Sequence, residues 1–327
     1  MAAGRAQGRT REQVQVDGRT LVLSNLDKVL YPEAGVTKGD VLAYYAEVAP
    51  ALLPHVSDRP VSLVRFPDGV GHPSFFAKNA PTHRPDWVRT VRLPAPGSSK
   101  GRDEIDYVVV ADRPTLVWVA NLAGLELHVP QWTVDRHGAP RDADLVVFDL
   151  DPGPPATIVE CCRVALLLRE ELAADGLAAV AKTSGSKGLQ LYVPVTPVPS
   201  AAASAYAKGL AQRLERAHPD LVVSRMAKDL RPGKVLVDWS QNNAAKTTVA
   251  PYSLRGRPRP TVSTPVTWAE VEGCRRPEDL RFEAADVLAR VARDGDLHAD
   301  LLARRGRGRL PATSGRGGTP DRADDVR

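Results

Sequence analysis

Residues 147–155 read VVFDLDPGP. An apolar run leads into Asp149, Leu150 and Asp151, and Pro152-Gly153 closes it. Such a run forms a buried strand, and Pro-Gly ends strands. Residues i and i+2 of a strand point to the same side. Asp149 and Asp151 therefore lie side by side, with no neighbouring cation in the sequence. Two close carboxylates repel unless a proton or a cation sits between them.

Around this strand lie further strand-like runs: TLVLS, PVSLVRF, DYVVVAD, AVAKTSG, LQLYVPV and KVLVDWS. Residues 38–56, 155–176 and 200–219 carry apolar residues at helical spacing. The mixture predicts an α/β or α+β fold around a mixed sheet. Residues 1–12 are small, polar and basic, and are expected to be disordered. From 304 the chain turns rich in Gly, Arg and Pro, which predicts a disordered tail over 304–327. No repeat or long linker divides 13–303, so one domain is expected there.

The 327 residues include 43% hydrophobic ones, enough for a sizeable core, and carry a formal net charge of +5. That excess favours an anionic partner, nucleic acid first. No apolar run has spanning length and no signal peptide is seen, so no membrane role and a cytoplasmic location are expected. The three cysteines, Cys161, Cys162 and Cys274, lack metal-ligand spacing and suit a reducing compartment.

Asp238, in KVLVDWSQN, also ends an alternating strand. Three strand-end aspartates can form an all-oxygen site for Mg²⁺ or Mn²⁺, and two such ions serve phosphoryl or nucleotidyl transfer. A DxD pair can also cap a turn. A haloacid-dehalogenase-like phosphatase carries one too, but near the start of its domain and followed by Gly-Thr. In TSGSKG, Ser184, Gly185, Ser186, Lys187 and Gly188 make a tight turn whose amides and lysine can meet an anion, or an ordinary hairpin. Phe75 and Phe76 stand beside Lys78, an arrangement suited to base stacking. Lys28 and Lys38 flank a turn that opens a helix, where phosphate binds readily.

Taken together, SNLDKVLYP, SFFAKNAP, LELHVPQW, FDLDPG, TSGSKGL, GKVLVDWSQN and APYSLRGRP resemble, in order, the polymerase domain of bacterial ligase D. That domain is a primase-like polymerase of non-homologous end joining, in the archaeo-eukaryotic primase superfamily. The resemblance runs from residue 24 to about 296 and implies a primase-polymerase core with a mixed, largely antiparallel sheet flanked by helices. It implies that Asp149, Asp151 and Asp238 bind two Mn²⁺ or Mg²⁺ ions. His128, Ser184, Lys187, Gln190, Arg231 and Arg255 fall at positions that hold the incoming nucleotide. Asn25, Lys28 and Lys38 fall in a pocket for the 5′-phosphate of gapped or broken DNA, and Phe75 and Phe76 where rings stack on bases. NTP or dNTP, with ribonucleotides preferred, and DNA are the implied ligands, with Ku and a separate ligase as further candidate partners. The family's second motif ends in histidine where this chain has Gln190. No ligase lysine motif is seen, so a stand-alone polymerase is expected. A module that binds and bridges DNA ends with little catalysis is the alternative.

Overall fold

The computed structural model describes residues 11–95, 101, 103–303 and 306–311. Two large sheets carry the fold, each with its own core. In the first, strands run in the order Thr248–Val249, Gly124–Val129, Pro60–Arg65, Glu104–Val109 and Thr90–Pro94, and Phe75–Ala77 pairs beside Pro60–Arg65. In the second the order is Val222–Val223, Val235–Asp238, Pro140–Pro152, Leu189–Val198, Val180–Thr183 and Pro265–Val266, with Trp132–Val134 against the start of the long strand. Every pairing in these two sheets is antiparallel except Val222–Val223 with Val235–Asp238. This is the mixed, largely antiparallel arrangement expected from the sequence.

Helix Lys38–Val56 covers the first core. Thr37 caps it, with its hydroxyl on the Asp40 amide and the Asp40 carboxylate on the Thr37 amide. Tyr45, Val48, Leu52 and Val56, at helical spacing, are fully buried. Helix Ile158–Ala174 covers the second core. It is capped in the same way by Thr157 and Glu160. Cys161, Ala165, Leu168 and Leu172 pack on the sheet together with helix Ser200–Ala217. The three cysteines are buried free thiols.

The chain termini depart from expectation. The first strand, Arg11–Val16, pairs with Arg19–Ser24, so order begins inside the stretch expected to be disordered. Val14 and Val16 pack on the first core, a small apolar signal hidden among polar neighbours. At the other end Gly308 bridges to Val195, Arg307 pairs with Asp144, and Leu310 lies on the second core. Residues 306–311 are therefore part of the fold. Residues 1–10, 304–305 and 312–327 lie outside the described residues.

Candidate active site

In the second sheet the alternation of the long strand separates two chemistries. Phe148 and Leu150 face the core; Asp149 and Asp151 face the other way. Asp149 stands opposite Asp238 on one neighbouring strand and opposite Gln190 on the other. Gln190 in turn stands opposite Lys182. One row across four strands thus reads Asp238, Asp149, Gln190, Lys182. Cross-strand partners have Cβ atoms about 4.5–5.5 Å apart, so the pairing brings the two aspartates from distant segments side by side.

Burial first, then the charges of Asp151 and Asp238, push the Asp149 carboxyl up to about 7, against the bond it receives from Gln190. Burial and the Asp238 charge also raise Asp151. Asp238 accepts from the Ser240 amide at 2.9 Å, the Ser240 hydroxyl at 2.5 Å and Gln241 Nε2 at 2.9 Å. Lys246 donates to the Ser240 hydroxyl from behind.

The turn after Thr183 depends on close backbone approach. At Gly188 a Cβ would lie 2.1 Å from the Leu150 carbonyl. Gly185, with φ +67°, leaves no room beside Val262 and Ser263. The Ser184 hydroxyl accepts from the Ser186 and Gly188 amides, and its carbonyl accepts from Arg255 Nη1. Lys187 is exposed at the tip. Arg231 donates to the Met226 carbonyl while its Nε is buried without a partner, and its charge reaches Asp151.

Glu126 is the hub of the adjoining wall. It pairs with His128 Nε2 at 2.8 Å and with Arg255 Nε at 3.1 Å, and accepts from the Gly256 amide at 2.9 Å. The Arg255 contact is an ion pair by distance, without a well-aimed N–H. Burial raises the Glu126 carboxyl, but the bond from His128 and the charge of Arg255 outweigh it and hold the group at about 2. The Phe76 ring meets His128 edge-on at 5.5 Å, while Phe75 lies under the Arg65 guanidinium at 5.3 Å. Phe75 is 45% and Phe76 53% exposed, so both are open to a ligand.

The basic pocket forms locally. Asn25 adopts a left-handed backbone, φ 55°, which asparagine tolerates, and the Lys28 amide closes the turn on its carbonyl. The Lys38 amide then bonds the Lys28 carbonyl at 2.8 Å, fixing both lysines beside the start of helix Lys38–Val56. Lys28 pairs with exposed Asp68 at 2.7 Å. Burial, then the charges of Lys28 and Arg65, lower the Lys38 ammonium to about 8.

The structure therefore gathers Asp149, Asp151, Asp238 and Gln190 on one face, His128, Ser184 and Arg255 on an adjoining wall, and Asn25, Lys28 and Lys38 around one turn, with the charge of Arg65 reaching Lys38. Gln190, expected to meet the nucleotide, is instead 3% exposed, with both ends of its amide engaged inside the chain. Lys182, Glu126, Arg65 and Lys246 were not singled out in the sequence. The three aspartates supply the hard oxygen donors that Mg²⁺ or Mn²⁺ takes, and the raised Asp149 marks repulsion that a cation would relieve. Among the described residues no three such side chains are drawn close enough to enclose an ion as they stand.

A two-sheet α/β chain with an acidic strand end, a glycine-dependent turn and a basic pocket has the layout of a primase-polymerase, and the comparisons agree. Residues 37–298 match the LigD primase-polymerase domain. The chain belongs to that family. It is 46% identical over 283 residues to the multifunctional non-homologous end joining protein LigD of Mycobacterium bovis, covering 85% of this chain and 36% of that protein. It is 32% identical over 277 residues to the bifunctional non-homologous end joining protein LigD of Bacillus subtilis, covering 84% of this chain and 43% of that protein. The solved polymerase domain of Mycobacterium tuberculosis ligase D in complex with DNA superposes with a TM-score of 0.81 at 45% identity, over 87% of this chain and 98% of that one. The chain thus spans well under half the length of these curated relatives. Among the described residues no helix is long and apolar enough to cross a membrane.

Proposed function

We propose that the protein is a template-dependent nucleotidyltransferase that fills gaps and extends ends during double-strand break repair by non-homologous end joining. The observation that carries this reading is the meeting of Asp149, Asp151 and Asp238 on one sheet face. Bound there, Mn²⁺ or Mg²⁺ would make the primer 3′-hydroxyl more acidic and offset charge on the departing pyrophosphate. Lys187, Arg231 and Arg255 bind the triphosphate and balance the charge that grows on it. His128 and the Ser184 turn orient it, with Glu126 holding His128 and Arg255 in place. Phe75 and Phe76 stack on bases. Lys28 and Lys38 grip a 5′-phosphate, so that a short gap is positioned without a long duplex footprint.

Ribonucleotides are the favoured substrates in this reading, and Ku and a ligase activity are its partners in the cell. The test is primer extension on gapped DNA carrying a 5′-phosphate, with each NTP and dNTP and with Mn²⁺ or Mg²⁺. Templated addition that Asp149→Ala abolishes is expected. End binding without any extension would leave the chain a bridging module.

A further inference from the structure

Lys182 is 0% exposed, and burial pushes its ammonium well below the usual lysine range against the pull of the Asp149 charge. Its Nζ lies 2.5 Å from Gln190 Oε1 and 2.5 Å from Ser263 Oγ. The Tyr192 ring closes the space at 5.3 Å. Gln190 Nε2 donates to Asp149 Oδ1 at 3.0 Å.

The two ends of a glutamine amide have nearly the same shape and opposite roles. What decides the orientation of Gln190 starts at a backbone carbonyl. The Ser263 hydroxyl donates to the Thr183 carbonyl at 2.9 Å, so towards Lys182 it can only accept. Lys182 must therefore donate to Ser263. It donates to Gln190 Oε1 as well, which pins Oε1 there and turns Nε2 onto Asp149. One direction of donation runs from Lys182 to the carboxylate, ending at Oδ1 of Asp149.

We propose that Lys182 is a positioning residue for nucleotide addition. It fixes the amide of Gln190, and through it the carboxylate of Asp149. This rests on the reading that Asp149 is one of the catalytic acids. Without Lys182 the amide is free to turn, and its oxygen can face Asp149 and drive the carboxylate out of place.

The test is Lys182→Met, which replaces the buried amine with an apolar chain of similar length. Losing an outer partner of a catalytic ligand commonly costs about 10- to 100-fold in activity, and a fall of that size in kcat is expected, with KM for the nucleotide little changed. Independently of activity, the side-chain amide protons of Gln190, observed by ¹⁵N NMR in the full chain without metal or DNA, should lose their protection from exchange. Adding Gln190→His to Lys182→Met should restore most of kcat, because imidazole can donate to Asp149 without a lysine behind it. A purely structural lysine would lower the melting temperature, move KM and kcat together and gain nothing from the histidine.

Unchanged kcat, or Gln190 protons that stay protected in Lys182→Met, would overturn the proposal. Should Lys182→Met fail to fold, Ser263→Ala removes the group that sets the direction while leaving Lys182 and Gln190. It should loosen the same amide protons, and no change there would equally overturn it. If the wild-type protein extends no primer, the polymerase reading fails, while the amide protons still report on Lys182.

Discussion

Asp149 and Asp238, 89 positions apart in the chain, are direct cross-strand partners in the second sheet. Neither has a salt bridge among the described residues; each is held by neutral donors, Gln190 for Asp149 and Ser240 with Gln241 for Asp238. Neither is therefore matched by a cationic side chain, which leaves both open to a metal ion. Asp149→Ala or Asp238→Ala should abolish nucleotide addition and spare binding to gapped DNA, because the basic pocket lies on other elements. Extension by either variant at a rate near wild type would remove the acidic assignment.

Lys28 and Lys38 should matter when the downstream strand carries a 5′-phosphate. A hydrogen bond to a charged group is worth about 1.5–3 kcal/mol. Lys38→Ala is expected to show the larger loss, since Lys38 Nζ is aimed by the Ser24 carbonyl at 2.6 Å and meets only neutral acceptors among the described residues, while Lys28 already pairs with the Asp68 carboxylate. The measurement is affinity for phosphorylated against unphosphorylated gapped DNA. Equal weakening on both would make these lysines general backbone contacts.

Period-2 alternation sufficed to put Asp149 beside Asp151, and the same rule applied to KVLVDWS found Asp238. It did not reveal that Asp238 faces Asp149, because that register joins segments separated by a helix, a hairpin and another helix. The Lys182–Gln190 pair was closer to hand. Once Ser184–Gly188 is taken as a turn, Thr183 meets Leu189 and the next pair outward is Lys182 with Gln190. Glu126 and His128 are i and i+2 in LELHV, a strand hidden by its short apolar content. Arg65 gave no local signal, since its place over Phe75 depends on the pairing of Pro60–Arg65 with Phe75–Ala77. The family match begins at residue 37, so Asn25 and Lys28 stand outside it and their role rests on the resemblance of SNLDKVLYP.

Glu126→Gln should disorder the nucleotide wall without touching the acids. The amide keeps the shape but loses the charge that faces Arg255 and His128. Removing one partner of a buried ion pair typically costs about 3–5 kcal/mol; the retained amide should hold the loss below that. KM for the nucleotide should rise about tenfold, as one charge-assisted contact is misplaced, with a smaller effect on kcat. A fall in kcat alone would instead place Glu126 with the acids.

The raised Asp149 carboxyl makes cation binding depend on pH in a defined direction. Its ordinary value is about 3.9, and in the folded chain it is pushed up to about 7 by burial and by the charges of Asp151 and Asp238. Below 7 the metal-free protein therefore holds a proton on Asp149 that a cation must displace. Mn²⁺ affinity should fall towards about tenfold per pH unit below 7, as for release of one proton, and level off above it. Stability of the metal-free protein should follow the opposite course. The native state binds more protons than the unfolded chain between about 4 and 7, so this group's contribution is full at the acid end and is lost as pH rises through 7. Mn²⁺ should therefore raise the melting temperature more at pH 8 than at pH 6. Asp149→Asn removes both effects, and its difference from wild type isolates Asp149 from other groups that titrate nearby. The checks are melting temperatures across pH 5–8, with and without Mn²⁺, for the two proteins. An Mn²⁺ response equal at pH 6 and pH 8, or one that Asp149→Asn retains, would show that the cation binds elsewhere.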